Sequence, residues 1–127
     1  MGGFTLVEIM TVIGIIALLA AVAVPSWIRA RKRSQATVIW NDLKQIDAAV
    51  DQYALETNKG QGHPVEFADW RLYLKTNSRL QVTGTDIFGN EFGNQLVDSL
   101  PKVPLGAYTA LADIVTLDFW SPYSVGN

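Results

Sequence analysis

From Phe4 to Val24 the chain is almost wholly apolar, interrupted only by Thr5, Glu8, Thr11 and the small Gly14. As a helix rising about 1.5 Å per residue, this run spans roughly 30 Å, one hydrocarbon core. It predicts a membrane-crossing helix over 4–25. Beyond Pro25 the pattern changes: Ile39, Leu43, Ile46, Val50 and Tyr53 recur at spacings of four, three, four and three. That is one face of an amphipathic helix over 26–58, with Asp42, Lys44, Asp47, Asp51 and Glu56 placed away from it. Together the two stretches predict a single rod from Phe4 to Thr57, roughly 80 Å long. Asn58-Lys59-Gly60 closes it, with Gly60 as the left-handed residue. Pro25 and Gly14 are its weak points, since proline removes a backbone hydrogen bond and crowds the preceding turn.

Residues 59–127 carry short apolar patches between turn formers. Pro64 to Lys75 reads as a connection whose Phe67, Trp70, Leu72 and Leu74 pack on the long helix. Leu80-Gln81-Val82 alternates like a strand. Ile87-Phe88, Gly89-Asn90 and Glu91-Phe92 form a two-residue hairpin signal, because Gly-Asn tolerates the positive φ such turns need. Pro101, Pro104 and Pro122 exclude long central strands. Tyr108 to Ala112 reads as a helical turn, and Ile114 to Trp120 as a strand or extended tail. The expected class is α+β: a long N-terminal helix packed on a small antiparallel sheet.

One polar position stands against the apolar pattern. A carboxylate within a membrane span costs about 2.5 to 3.5 kcal/mol at the bilayer centre, less near an interface. Glu8 in the first turn gains only about 0.3 to 1 kcal/mol from the helix dipole. A positive charge brought by a partner would offset the remainder. The segment that holds this residue, Gly3-Phe4-Thr5-Leu6-Val7-Glu8 followed by the apolar run and Pro25, resembles the class III signal of type IV pilins and type II secretion pseudopilins. Leu43 to Lys59 is also similar to the helix end of pseudopilin-like proteins. Beyond residue 60 the likeness thins to a Gly-Asn turn and a Phe-Trp-Ser-Pro-Tyr tail.

The resemblance implies that residues 1–3 are a leader, that a prepilin peptidase cuts between Gly3 and Phe4, and that Phe4 is then N-methylated. Glu8 would neutralise the Phe4 ammonium of a neighbouring subunit. The implied partners are further copies of the chain, the peptidase, an inner-membrane assembly platform and, before assembly, membrane lipid. The implied location is the inner membrane, with the C-terminal domain periplasmic, then an extracellular pilus or periplasmic pseudopilus. In assembled pili the segment between such residues as Gly14 and Pro25 can lose helicity. Retention of Glu8 argues against the tip subunit of a secretion pseudopilus.

The family's leader normally carries Lys or Arg, and Met1-Gly2-Gly3 has none. Arg29, Arg31, Lys32 and Arg33 instead follow the span, so a bare positive-inside count would invert the topology. The motif outweighs the count, since Glu8 and the Gly3-Phe4 junction have no purpose in the inverted arrangement. The expectation is a Met1 that is a late or engineered start to a longer, basic leader. The cluster itself reads as a cap at the lipid headgroups.

At 127 residues and a formal net charge of −2, the chain suits one small domain plus an anchor and suggests no specific nucleic-acid partner. It has no cysteine, which removes disulfides, thiol catalysis and cysteine–zinc sites. His63, its one histidine, lies in a Gly-Gln-Gly-His-Pro loop and reads as solvated. No nucleophile triad, phosphate-cradling loop or metalloprotease helix motif is present, so the expectation is not an enzyme. No cofactor is expected. Calcium is the one weighed, because major pseudopilins often bind it near the C-terminus, but Asp86, Asn90, Asp98, Asp113 and Asp118 match no loop motif and read first as surface carboxylates and turn caps. Trp27, Trp40, Trp70, Trp120 and Tyr123 read as core and interface packing. The leading function is a structural filament subunit; the alternative is a single-span anchored binding module that does not polymerise.

Overall fold

The computed structural model describes residues 2–126. One helix, α1, runs Leu6–Thr57 and carries both periodicities, with Pro25 inside it. The chain divides along this helix into a unit ending at Lys32 and a second beginning at Arg33. In the first unit every described residue from Gly2 to Arg31 is exposed. It contains the one stretch, among the described residues, long and apolar enough to cross a membrane, with mean hydropathy 2.6 and 0% of it buried.

The second unit is organised by the opposite behaviour of α1. Ala36, Ile39, Leu43, Ile46, Ala49 and Val50 are all buried. Ala36, Ile39 and Leu43 join Val103, Ala107, Leu111, Val115, Trp120 and Tyr123 in one core cluster. Ile46, Ala49 and Val50 join Val65, Trp70, Leu74, Leu80 and Val97 in another. Around this stripe lie β1 (Pro64–Val65), α2 (Phe67–Trp70), a 3-10 turn (Arg71–Tyr73), α3 (Arg79–Thr83), β2 (Gln95–Leu96), α4 (Leu105–Leu111) and α5 (Leu117–Trp120). The strands pair antiparallel, Pro64 with Leu96 and Val65 with Gln95. Burying an Ile or Leu side chain contributes roughly 1.5–3 kcal/mol, against about 1 kcal/mol net per hydrogen bond. Side chains, not the two-residue ladder, therefore hold the α+β fold together.

Several local expectations are corrected. Leu80-Gln81-Val82 is helical, within α3, because Ser78 caps the turn by accepting from the Gln81 amide at 3.3 Å and Leu80 alone points inward. Ile114 to Trp120 is not a strand or a continuous extended tail: Thr116 is extended as the residue before α5, whose helical turn carries the buried Trp120. The Gly-Asn turn is displaced. Thr85 and Glu91 form the closing bridge, so Ile87 and Phe88 lie inside the loop. Asp86 fixes that loop, its Oδ1 accepting from the Phe88 amide at 2.8 Å and the Asn90 amide at 2.9 Å. Leu72 is exposed, because the 3-10 turn directs it outward while Trp70 and Leu74 go in. The left-handed residue ending α1 is Asn58 (φ 54), not Gly60, and the Lys59 amide reaches back to the Ala54 carbonyl at 3.1 Å, as a Schellman end requires. The helix at Tyr108 to Ala112 exists but starts earlier, at Leu105.

The largest correction concerns Asp42, which is buried at 4% exposure, not on the polar face. Arg79 of α3 explains it, donating from Nη2 to Asp42 Oδ2 at 2.6 Å and from Nη1 to the Thr85 carbonyl. Burial raises the Asp42 carboxyl above its ordinary range, with Arg79 opposing and Asp86 adding to the rise. Arg79 keeps about a third of its side chain in solvent. Removing Arg79 therefore strands a buried carboxylate, whereas removing Asp42 leaves a cation that can reach water. We expect Arg79→Leu to cost roughly 2–4 kcal/mol at pH 7, and Asp42→Asn clearly less. Because the folded state then binds the Asp42 proton more tightly than the unfolded state, the Arg79→Leu deficit should shrink as pH falls into the carboxylate range. Urea titrations in detergent, followed by tryptophan fluorescence, measure both.

Gly84 ends α3 at φ 66, and a Cβ there would come within 2.7 Å of the Phe67 ring. Gly84→Ala combines a left-handed penalty with a clash in the core, so a loss of about 1–3 kcal/mol is expected in the same titration.

Candidate functional site

The first turn of α1 is fixed by Thr5 and Glu8. Gly2 to Thr5 precede the helix, and Phe4 is 87% exposed. Thr5 is the cap: its Oγ1 accepts from the Glu8 amide at 3.2 Å, and its own amide donates to Glu8 Oε2 at 3.3 Å. This reciprocal pair is a capping box, satisfying two helix-end donors at once. The Thr-x-x-Glu spacing that encodes it is plain in the sequence, yet the helix dipole alone does not suggest it. Glu8 thus has an intrachain role as well as a charge. The cap uses Oε2; Oε1 meets no donor among the described residues.

Phe4 and Glu8 flank the same shallow apolar groove of about 220 Å³, floored by Ile9, Val12 and Ile13. The structure therefore gathers Phe4 and Glu8, with Gly3 adjoining them in the non-helical lead-in. Gly14 and Pro25 lie further along α1. A Cβ at Gly14 would meet nothing within 4 Å, so its small size serves no contact within the chain.

Other candidates are placed differently. His63 is half-buried just before β1, where its carbonyl accepts from the Val97 amide at 3.0 Å. Asp86 is occupied in its own loop, while Asp98, Asp113 and Asp118 are exposed. Among the described residues no three His, Cys, Asp or Glu side chains converge as a metal set. Trp70 and Trp120 lie in the core, and Trp40 stands edge-on to Tyr123 with centroids 6.1 Å apart. Trp27, 61% exposed, packs in neither cluster.

Comparison with known proteins finds relatives that match part of the chain. The chain is 44% identical over 54 residues to type II secretion system core protein G of Pseudomonas aeruginosa, covering 42% of this chain and 38% of that protein. Its curated relatives are pilins and pseudopilins. It is 43% identical over 56 residues to the type IV wide pilus major component PilA4 of Thermus thermophilus, 44% of this chain and 43% of the relative. It is 36% identical over 59 residues to the type IV major fimbrial protein FimA of Dichelobacter nodosus, 46% of this chain and 38% of the relative. The chain spans about two fifths of the length of these pilin and pseudopilin relatives. No protein-family model and no solved structure matches it. The long N-terminal helix with a small antiparallel sheet is consistent with the pilin fold.

The capping box can be separated from the charge. Thr5→Ala should cost about 1 kcal/mol of helix-end stability and raise amide hydrogen exchange over the first turn, 6–9. Glu8→Gln should leave that exchange unchanged, since Gln also serves as the third residue of a capping box. Glu8→Ala should raise it.

Proposed function

We propose that the chain is a structural subunit of a type IV pilus-like filament or a type II secretion pseudopilus. The observation that carries this reading is the wholly exposed apolar half of α1, which follows Gly3-Phe4 and holds Glu8. Such a surface is stable in only two settings, lipid or a bundle of like helices. A filament subunit meets both in turn. It waits in the inner membrane as a single-pass protein with its C-terminal domain periplasmic, then packs its helix among others.

In this reading the prepilin peptidase cuts after Gly3 and methylates Phe4. The exposed, non-helical backbone of 2–5 supports it, since cleavage needs a chain outside regular structure. Glu8 then holds its own helix start through Oε2 and offers Oε1 to the Phe4 ammonium of a neighbour, with an assembly platform delivering successive subunits. The contact is heterologous, so it propagates without closing. Gly14 and Pro25 are the positions at which the helix would yield on assembly. Residues 1–3 act as leader, 4–25 as filament core, 26–58 as the amphipathic continuation and 59–127 as the outer region.

Intact mass and N-terminal sequencing on protein from its native locus test the processing. A chain beginning at Phe4 with one added methyl is expected. A chain that keeps its residues before Phe4, with the peptidase active, would falsify the assembly reading in favour of an anchored module. Glu8→Gln is expected to insert in the membrane and yield no filaments by electron microscopy of sheared fractions. Normal filaments from that variant would remove the charge pairing.

A further inference from the structure

Just past the apolar run, α1 carries Trp27, Ile28, Arg29, Arg31 and Lys32. Successive helical residues turn by about 100°, so Arg29 and Arg31 project roughly 160° apart around the axis. Trp27 and Arg31 share one side, and the Arg31 guanidinium sits 5.5 Å from the Trp27 ring centroid. Arg29, Arg31 and Trp27 are exposed, and neither arginine has a carboxylate partner among the described residues. Lys32 is half-buried with a contact of its own.

A docking face for one protein partner would gather its cations on one side. Cations on opposite sides of the axis face an anion that surrounds the helix. From Trp27 to Lys32 the axial rise is roughly 7.5 Å, matching the roughly 5–8 Å of headgroup layer on each side of a bilayer. A tryptophan at the inner edge of that layer, stacked under a guanidinium, is what an apolar-to-charged boundary favours. On the reading that 4–24 spans a bilayer, we infer that Trp27, Arg29 and Arg31 form a collar that binds anionic phospholipid headgroups. The planar fork of each guanidinium suits a phosphodiester bidentately, with Trp27 holding the Arg31 fork in place. The collar thereby sets how deep the helix sits and gives the unassembled subunit a preference for anionic lipid.

The test reconstitutes the full chain in mixed phosphatidylglycerol–phosphatidylcholine vesicles, extracts it in mild detergent and counts retained lipids by native mass spectrometry. Wild type should retain phosphatidylglycerol over phosphatidylcholine. Arg29→Gln with Arg31→Gln should reduce that preference by roughly fivefold per arginine, and Trp27→Leu should reduce it less. Lys75→Gln, which removes an exposed charge outside the collar, should leave it unchanged. Equal loss in the Lys75 variant, or no phosphatidylglycerol preference in wild type, overturns the collar. So does a double variant whose lipid retention is unchanged while its oligomer distribution shifts, which would assign the surface to a second copy. Resistance of the reconstituted chain to alkaline carbonate is scored in parallel. A chain that carbonate strips from the vesicles fails the membrane reading itself, whereas one that stays inserted without lipid preference fails only the collar.

Discussion

Everything in the second unit depends on one stripe of α1. Ala36, Ile39 and Leu43 supply the floor of one core cluster, and Ile46, Ala49 and Val50 that of the other. The remaining elements are short, and the one sheet among the described residues has two residues per strand. Short helices and strands are marginal alone and take their stability from packing. Losing the stripe would leave α2 to α5 without a surface to form on. The Asp42–Arg79 pair lies at the same level, tying α1 to α3 where a purely apolar helix face would have no preferred partner. Its orientation is set by charge and its strength by burial, two effects that oppose each other on the same carboxylate.

The features legible in the sequence are those written in long periods. The apolar run and the four-three-four-three spacing each extend over several turns, and both appear as one helix ending at Thr57. The elements misread are all short. Over three residues, Leu80-Gln81-Val82 satisfies a strand pattern as well as a helical turn, and only the Ser78 cap decides between them. The burial of Asp42 depends on a residue thirty-seven positions away, and no local pattern records that. Leu72 and Leu74 have identical chemistry and opposite fates, because a 3-10 turn has a different period from the helix before it. At the first turn of α1 the sequence carries more than the dipole suggests, since Thr5 and Glu8 at capping-box spacing are sufficient to predict their reciprocal bonds.

That capping box changes how the Glu8 carboxylate should be understood. A buried or lipid-facing charge is usually an electrostatic cost that a partner must offset. Here one oxygen already earns its place within the chain by stopping the helix end from fraying. The carboxylate is thereby held in a fixed direction by the chain's own first turn, and in the proposed pairing an oriented acceptor would lose less entropy than a free one. The same geometry explains why Thr5, which bears no charge, belongs to the site.

The sparse backbone ladder also has a mechanical meaning. Proteins that resist stretching do so through long parallel arrays of interstrand hydrogen bonds sheared all at once, and two two-residue strands provide no such clamp. Within the second unit a pull on α1 would be met by interlocked side chains and not by such an array. Such contacts are short in range and give way over small displacements, so the elastic reserve lies in the helix itself, where turns can open and reclose one after another.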